Sequence, residues 1–372
     1  MAPSPDLSRW LAPLRGAWAW LRRRLADLAG AWHPDTWRAR GPLWAAGTVA
    51  VTLAVLLYLL GVYWTSEPEP FDVRAAALEE AGGDERRLVP GYVTTATVIR
   101  LMRTLFDKPG GYLSNDRLPP VSLFGTYRML DNIPSWEFGV VVMVRDTAHV
   151  LRNDFSRSQS QGVEDPDLAE AEPLFNFDND SWLFPPTERE YRRGINHLRR
   201  YLDRLADPAD TRTQFYARAD NLSELLAVAG KRLGSLSQRL NASVEELRVN
   251  TDLAGDPAAR QATAAPGLVM ARTPWMEVDD VFYEARGYTW ALLHVLRAVE
   301  IDFKDVLEKK RAQASLQQII RLLEQTQRDP SSPVVLNGDP LGWLANYSKT
   351  LVSYISPANA AIIDLRNLLA QG

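Results

Sequence analysis

The polar side chains that could do chemistry are densest in residues 145–161, which read RDTAHVLRNDFSRSQSQ. This segment continues directly from the apolar run 139–144, so the pattern predicts one helix that leads from a core into a charged end. On this helix Arg145, His149 and Arg152 fall at i, i+4 and i+7. Asp146, Asn153 and Arg157 fall at i, i+7 and i+11. The candidate site residues are Arg145, Asp146, His149, Arg152, Asp154 and Arg157.

Two interpretations of this segment are open. Guanidinium and carboxylate groups interleaved in this way can satisfy one another in a buried network. They can also present a guanidinium cluster to an anion, such as a lipid headgroup, a glycan carboxylate or the acidic patch of a partner protein. If Arg152 and Arg157 pair with aspartates of the same segment, the segment is architecture. If the two arginines line an open groove, it is a binding site.

The sequence contains no motif for nucleophilic, phosphate-binding or metal chemistry. The glycine pairs 82–83 and 110–111 match neither a P-loop nor a dinucleotide-binding fingerprint. There is no cysteine, and no two of the four histidines have the i, i+4 spacing of a zincin helix. Asp146 and His149 form one Asp-x-x-His pair, but a di-metal bundle needs a second such element. The sequence therefore predicts neither a cofactor nor a metal site.

Two further groups of carboxylates have weaker patterns. The stretch 164–180 carries seven acidic residues and no basic one, which is typical of a solvated acidic loop, and it lacks the glycine and terminal glutamate of an EF-hand. Glu277, Asp280 and Glu284 are spaced i, i+3 and i+7, which is common on solvated helix faces. This second group is the basis of an enzyme hypothesis given below.

The elements that must position these residues are helices. Apolar residues recur at alternating steps of four and three over 215–247, which predicts a long helix with a heptad seam. A similar pattern covers 276–326, and we expect the two helices to fold back on each other as the spine of a bundle. The β-branched run 140–144 fits a buried helix as well as a strand. The expected fold is all-α, an elongated helical bundle with long antiparallel helices.

Shorter patterns complete the expected bundle. One helix is predicted over 92–106, and another begins at a capping box formed by Thr187 and Glu190. Two helices are predicted at the C-terminus, over 341–355 and from Pro357 to about residue 369, with Ser356 as the N-cap of the last one. Residues 248–274 are rich in Ala, Thr, Pro and Gly and are predicted to be a mobile loop.

One segment is apolar enough to cross a membrane. Residues 43–64 read LWAAGTVAVTLAVLLYLLGVYW and contain no charged residue. A helix of this length spans about 33 Å, against a hydrocarbon core of about 30 Å. Trp44 at one end and Tyr63 with Trp64 at the other suit the two membrane interfaces. Because 42 residues precede the segment and no small-residue cleavage site follows it, we expect an uncleaved transmembrane helix rather than a signal peptide.

Charge is distributed unevenly about this segment. Residues 1–42 carry seven arginines and three aspartates, whereas residues 65–372 carry 35 basic and 43 acidic residues. The positive-inside rule places the basic side in the cytoplasm, and 36 arginines against six lysines suggest a GC-rich bacterium. The prediction is a bacterial inner-membrane protein with a cytoplasmic N-terminus and a periplasmic C-terminal domain. That acidic domain lacks the basic excess that nucleic-acid binding requires.

The regions that flank the apolar segment differ in character. Tryptophans and leucines place one apolar stripe on a predicted helix over 10–28, and a basic helix of this kind commonly lies in the headgroup layer. A poorly ordered tail is the alternative. Prolines and a glycine pair predict a linker after the segment. The predicted domains are a basic, Trp-rich cytoplasmic tail (1–42), a transmembrane helix (43–64), a linker (65–91) and a periplasmic helical domain (92–372).

Several long runs of residues resemble one known family. They are GGYLSND (110–116), DNIPSWEFGVVVMVRD (131–146), RNDFSRSQSQ (152–161), FNFDNDSW (175–182) and NAAIIDLRNLL (359–369). These runs are similar to an uncharacterised family of proteobacterial single-pass inner-membrane proteins, catalogued as a domain of unknown function, over most of 65–372. The resemblance implies a single-pass envelope protein and supplies no catalytic residue.

The favoured function is a non-enzymatic, membrane-anchored adaptor or scaffold of the bacterial cell envelope, because the chain combines one anchor, long heptad seams and no catalytic set. Its expected partners are the lipid bilayer, through the transmembrane helix and the basic tail, and an envelope protein or a second copy of the chain. A periplasmic sensor of a ligand or anion that acts through a partner is the alternative, although the 42 cytoplasmic residues hold no signalling domain. An envelope enzyme that acts on peptidoglycan or lipid is the third hypothesis.

Overall fold

The computed structural model describes residues 30–64, 66–116, 132–157, 162–244, 246–249, 268–332, 334–339 and 342–371. The apolar stripe over 10–28 lies outside these residues. Contacts divide the chain into two compact units, residues 1–62 and 63–372. The fold is all-α in the described residues, as the sequence predicts, apart from one short pair of β-strands.

The first unit contains the apolar segment. A short helix, α1 (Pro34–Arg40), ends at Gly41, and α2 (Pro42–Trp64) follows as one continuous helix of 23 residues. The window Pro42–Leu60 is long and apolar enough for a transmembrane helix or a signal sequence, by length and composition, and none of it is buried. In the interior of such a helix every backbone N–H and C=O group is satisfied within the helix, which is what an apolar environment requires.

The described part of the second unit consists of ten α-helices and the strand pair. Its elements are α3 (Val73–Glu80), α4 (Tyr92–Asp107), α5 (Asn132–Val150), α6 (Pro166–Phe175), α7 (Thr187–Leu205), α8 (Ala219–Asn241), β1 (Glu246–Val249), β2 (Leu268–Ala271), α9 (Val278–Asp302), α10 (Lys304–Lys309), α11 (Gln313–Thr326) and α12 (Tyr347–Ala370). Single 3-10 turns cover Glu85–Arg87 and Trp275–Glu277. A π-helical turn, Leu151–Phe155, extends α5.

The core of the second unit is built around α5 and α9, which form its most extensive helix contact. The hydroxyl of Ser135 donates to Asp280 Oδ1 at 2.7 Å near the N-terminal ends of the two helices. The rings of Phe155 and Phe303 lie 5.2 Å apart near the C-terminal ends. The two helices therefore run in the same direction.

Two glycines allow α5 and α9 to approach each other closely. A Cβ at Gly139 would overlap the backbone of Glu284, and a Cβ at Gly287 would overlap the backbone carbonyl of Trp136. Glycine is less favourable than alanine in a helix interior by about 1 kcal/mol, so its presence here has a packing reason. Around this crossing, Trp136 packs against Trp290 at a ring separation of 5.0 Å.

The predicted linker over 65–91 is wrong for its described residues, because they pack on the core. They contain α3, and Val73, Ala77 and Ala81 are buried in the same cluster as the apolar side chains of α4. The small alanines let α3 lie against α4. The proline and glycine signals mark the ends of α3, not a flexible segment.

The predicted pairing of two long helices is also corrected. The 215–247 pattern forms α8, which ends at Asn241 and packs most extensively on α12. Ser237 and Ser356 hydroxyls lie 3.4 Å apart, and Arg366 Nε donates to Ser223 at 3.4 Å, so α8 and α12 run in opposite directions. The heptad seam was a correct sign of burial, but it did not identify the partner helix.

The 276–326 pattern is divided into three helices. The first, α9, ends at Asp302, whose carboxylate accepts the N–H and the hydroxyl of Thr94, both at 2.7 Å. Asp302 thereby satisfies the free donors at the N-terminus of α4. Arg311, with a φ of 52°, makes a second break before α11. The end of α9 depends on a contact with another helix, so the periodicity of apolar residues in the sequence gives no sign of it.

The two predicted C-terminal helices are a single helix. α12 runs through Pro357, and Ser356 is not an N-cap. Proline removes one helix hydrogen bond, but the buried side chains Ile355, Ala358 and Ile362 on either side hold the helix against the core. Tertiary packing overrides the local stop signal.

Three smaller expectations concern residues 140–144, the N-terminus of α7 and the loop 248–274. Residues 140–144 are helical. Thr187 does not form a capping box, because its hydroxyl donates to the carbonyl of Asp178 at 2.7 Å. Of the predicted mobile loop 248–274, the described ends include residues of β1 and β2, which pair antiparallel, and residues 250–267 lie outside the described residues.

Replacing Gly287 by alanine is expected to destabilise the protein by about 1–3 kcal/mol or more, because the added methyl group meets backbone that cannot move alone. Gly139→Ala should behave in the same way. The matched control is Gly234→Ala in α8, where a Cβ would lie 3.7 Å from Asn359 Nδ2 and alanine should be neutral or stabilising by up to about 1 kcal/mol. Denaturant unfolding of the full chain in detergent, followed by circular dichroism, measures the difference. Equal midpoints for Gly287→Ala and wild type would contradict the close α5–α9 contact.

Candidate functional site

The polar segment that the sequence singles out is divided between two kinds of helix. After Val150, α5 gives way to the π-helical turn, and the N–H of Ser156 donates to the carbonyl of Leu151 at 3.0 Å. A π turn closes over one more residue than an α turn, so the spacing expected from an α-helix does not continue beyond residue 150. The six candidate residues consequently contact several different neighbours.

Arg145 caps the C-terminal end of α6. Its Nε donates to the carbonyl of Phe175 and its Nη2 to that of Phe177, both at 2.8 Å. Nη2 also lies 3.3 Å from the hydroxyl of Tyr191. A guanidinium is favourable at this end of a helix, where the last carbonyls lack partners and the dipole is negative. The donors of Arg145 are thus directed at the protein's own acceptors.

Asp146 is buried and pairs with Arg232 of α8, at 3.0 Å to Nε and 3.2 Å to Nη2. Burial raises the pKa of Asp146, and the charge of Arg232 opposes this effect. Of the two interpretations left open by the sequence, the internal network takes a different form, because Asp146 pairs outside its own segment. The actual partner lies on another helix, and sequence spacing gives no signal for it.

Arg152 lies between two glutamates of the acidic stretch. Its Nη2 is 2.7 Å from Glu164, and its Nη1 is 3.0 Å from Glu172. His149 Nδ1 also contacts Glu172, at 2.7 Å, and Arg157 Nη1 lies 3.7 Å from Glu164. The predicted acidic loop thus contains the helix α6, and these two glutamates bind the polar segment of α5. The sequence contains a signal for this pairing, because the acidic stretch 164–180, which has no basic residue, closely follows the arginine-rich segment 145–161.

Asp154 faces a groove beside the π-helical turn. The groove has a volume of about 420 Å³ and is lined by Asn153, Asp154, Arg157, Gly162, Asp220, Asn221 and Glu224. Burial, and then the charge of Glu224, raise the pKa of Asp154, which has no hydrogen bond or ion pair within the described ranges. Three carboxylates and one guanidinium favour a cationic ligand, so this groove does not match the expected anion site.

A second polar group, which the sequence analysis does not single out, joins the residues after α2 to α9. We name it the junction cluster; its members are Glu67, Phe71, Arg286 and His294. Arg286 is buried, with its Nε 3.0 Å from Glu67 Oε1 and its Nη2 3.0 Å from Oε2. Its Nη1 donates to the carbonyls of Thr326, at 3.0 Å, and Arg328, at 2.7 Å. A buried guanidinium requires this full set of partners.

The other half of the junction cluster is a neutral histidine. His294 Nδ1 lies 2.7 Å from the carbonyl of Trp290, and the N–H of Phe71 donates to Nε2 at 3.0 Å. Because a carbonyl only accepts and an N–H only donates, the proton must be on Nδ1. The rings of Phe71 and His294 are stacked 4.0 Å apart. Burial lowers the pKa of His294 to about 4.

A third polar group fixes the loop 108–116. Lys108 Nζ and Glu137 Oε1 form an ion pair of 2.8 Å in which both side chains are almost fully buried. Glu137 also accepts the N–H groups of Leu113 and Ser114 at 3.0 and 2.8 Å. With these bonds the buried carboxylate is fully satisfied.

Three of the family-like runs meet at this loop. The hydroxyl of Tyr112 donates to the carbonyl of Asn179 at 2.7 Å, and Asn115 Nδ2 donates to the carbonyl of Ser181 at 2.8 Å. Runs 110–116, 131–146 and 175–182 are thereby joined around Glu137. Their hydrogen bonds therefore position the three runs relative to one another.

Two of the three carboxylates behind the enzyme hypothesis have structural partners. Both oxygens of Glu284 lie 2.6 Å from Arg239, and Asp280 accepts the hydroxyl of Ser135. Within the part of the chain that the structure describes, no group of three His, Asp or Glu side chains is placed to hold a metal ion.

We expect the free energy of unfolding to fall as the pH is lowered from about 6.5 to about 4, through His294. The folded-state pKa of about 4 lies below the ordinary value of 6.5, so in this window the unfolded chain binds a proton that folded His294 does not. The contribution of neutral His294 to the free energy of unfolding is fully present above pH 6.5 and is lost below about pH 4. Its size is on the order of 3 kcal/mol.

Asp302 acts in the opposite direction, because burial raises its pKa to about 6, and its contribution is lost as the pH rises through that value. The measurement is therefore the difference in unfolding free energy between wild type and His294→Met at several pH values, in which the effect of Asp302 cancels. A difference that does not change between pH 4 and 7 would contradict the neutral, hydrogen-bonded state of His294.

Comparisons with known proteins give one result. Neither the curated proteins nor the solved structures contain a match to the chain. A family model described as an uncharacterised protein conserved in bacteria, DUF2333, matches residues 37–372. The match confirms the resemblance of the long runs and extends over α2. The chain therefore belongs to the DUF2333 family of proteins conserved in bacteria.

Proposed function

We propose that this DUF2333 protein is a non-enzymatic, membrane-anchored adaptor or scaffold of the bacterial cell envelope. In this proposal α2 is an uncleaved transmembrane helix of the inner membrane, the N-terminus is cytoplasmic, and residues 65–372 form an elongated periplasmic bundle. The uncharged segment 43–64 and the arginines on its N-terminal side support the topology.

The observation that carries the adaptor role is the junction cluster. Directly after α2, Glu67 and Phe71 are bound to Arg286 and His294 of α9. These bonds hold residues 67–71, at the start of the domain, against α9, as a scaffold with a defined docking surface requires. An enzyme that searches for substrate on the end of a tether would instead need a free segment here.

The polar segment of α5 supports binding of a partner rather than catalysis. Arg145, Asp146 and Arg152 bind groups within the domain. Asp154 faces the solvent-filled groove with Glu224, and mutual repulsion of these carboxylates would be relieved by a basic side chain of a partner. A partner with an exposed basic patch is the expected occupant.

The sensor alternative takes the same groove as its ligand site. The charges favour a small cation over an anion. A thermal shift of the full chain with spermidine and none with inorganic phosphate would favour the sensor, provided that no protein partner is found.

The topology predicts which positions a membrane-impermeant reagent can reach. Because the chain has no cysteine, single variants Val163→Cys and His33→Cys give one label site each, and both positions are exposed. In intact spheroplasts we expect a maleimide to label the 163 variant fully and the 33 variant only after lysis. The reverse pattern would show that the orientation is wrong.

The adaptor role predicts a partner whose recovery depends on the groove. After cross-linking in cells and solubilisation in detergent, the full chain should recover one stoichiometric envelope protein or a second copy of itself. Glu224→Lys should lower the recovered amount by about tenfold, equivalent to about 1.4 kcal/mol. The matched control is Glu308→Lys, which reverses an exposed charge on α10 and should leave recovery unchanged. Absence of both a partner and self-association would contradict the adaptor role.

A further inference from the structure

The exposed apolar side chains of the second unit are concentrated in three surface segments. Between residues 66 and 371, twelve large apolar side chains are exposed in the described ranges, and nine belong to these segments. We name the segments tips. They are tip 1 (Trp182, Leu183, Phe184), tip 2 (Met270, Trp275, Met276) and tip 3 (Val334, Trp343, Leu344). Val163, Ile301 and Ile363 are the other three.

Tips 2 and 3 lie at the N-terminal end of α9. Trp275 and Met276 directly precede that helix. The N–H of Thr273 donates to the carbonyl of Ala242, just after α8, and Asn337 in the segment of tip 3 donates to the carbonyl of Ser243. The C-terminal end of α8 is held to the first turns of α9 through Arg239 and Glu284. Both tips therefore belong to one end of the domain.

Tip 1 belongs to the same end. Its base, Ser181, accepts a hydrogen bond from Asn115 in the loop 108–116. That loop is bound to Glu137 in the first turns of α5, which lie beside the N-terminal half of α9 because the two helices run in the same direction. The loop 181–187 is closed by a bond from Thr187 N to the carbonyl of Ser181 at 3.0 Å, so the tip projects from a fixed base.

The chain leaves α2 at this end as well. Trp64, the last residue of α2, lies against Gly110, where there is no room for a side chain. Gly110 and Trp182 line one cavity of about 330 Å³. Three residues after Trp64, Glu67 is bound to Arg286 in the N-terminal half of α9. The three tips and the exit from α2 therefore share one end of the domain.

We propose that this end of the domain rests on the bilayer that α2 crosses, with Trp182, Phe184, Trp275 and Trp343 inserted at the level of the headgroups. The proposal rests on the transmembrane anchor of the proposed function. It assigns to the domain a second, peripheral contact with lipid in addition to the transmembrane helix.

The side-chain chemistry favours a lipid interface as the occupant. Tryptophan is enriched at membrane interfaces because its ring is apolar and its N–H is polar. Three consecutive exposed apolar residues, as in tip 1, are unfavourable in water. Phe184 is 93% exposed and Trp343 is fully exposed, so neither is covered by its own chain. Exposed tips at the end of the domain where the chain leaves α2 suit contact with the bilayer at that point.

The charge around the tips is mixed, because Arg192 lines the same cavity as Trp182. Asp279 and Asp280 lie in the first turn of α9, close to tip 2, and they would repel anionic lipid. Insertion must therefore depend on apolar area, at about 25 cal/mol per Å² buried. The contact should form on zwitterionic lipid and should be insensitive to salt.

The test is a spin-label accessibility measurement on the full chain in phosphatidylcholine vesicles. Single variants Phe184→Cys, Trp275→Cys and Trp343→Cys carry a nitroxide, and each leaves the other two tips intact. Val163→Cys is the matched control, because it is exposed but lies near Glu164 and the π-helical turn, at the opposite end of α9. Leu56→Cys reports on α2 itself.

We expect collisions with a water-soluble nickel chelate to be several-fold fewer at 184, 275 and 343 than at 163, and collisions with oxygen to be more frequent. Equal nickel accessibility at the tips and at 163, with the label at 56 in lipid, would overturn the peripheral contact and leave the anchor standing. A water-exposed label at 56 would instead overturn the anchor. Dipolar broadening at the tips that grows with the protein-to-lipid ratio would identify a second copy as the occupant and would also overturn the proposal.

Discussion

The structure depends first on one buried charge. Arg286 on α9 is removed from water, and a guanidinium cannot remain there without partners, because its desolvation costs several kcal/mol. Its donors bind Glu67 on one side and the carbonyls of Thr326 and Arg328 on the other. These two segments are far apart in sequence: one follows α2 and the other ends α11. A single side chain therefore fixes where the chain enters the domain and where α11 stops.

The same helix organises the remaining contacts in order along its length. Near its start Glu284 binds α8, and Gly287 admits α5. His294 accepts the N–H of Phe71, and Asp302 at the end caps α4. Each contact is either a backbone approach that only glycine permits or a buried polar group with a defined partner. Such contacts are directional, so they specify the neighbours of α9 more strictly than apolar packing does.

This distinction explains what the sequence could predict. The heptad seam of α8 and the uncharged α2 are periodic or continuous patterns, and both were recognised as helices. The helix that packs against α8 cannot be identified from the sequence, because Leu222 or Leu233 can pack against any apolar face. Asp146 binds Arg232 on another helix and not an arginine of its own segment, since a helix presents its side chains to its neighbours in space. Glu67 and His294 appear unremarkable in sequence because their role depends on Arg286 and Phe71, which the fold brings to them.

The positions of the acidic groove and the apolar tips have a joint consequence. The groove adjoins Phe155, which packs on Phe303 at the C-terminal end of α9, whereas the tips surround the N-terminal end. α9 has 25 residues, so it separates the two features by about 37 Å. With the tips on lipid, as proposed, the groove would lie up to that distance from the membrane. A partner that binds there must either extend from the membrane by the same distance or be soluble, and in both cases its basic patch would meet Asp154 and Glu224 away from the attraction of the lipid headgroups.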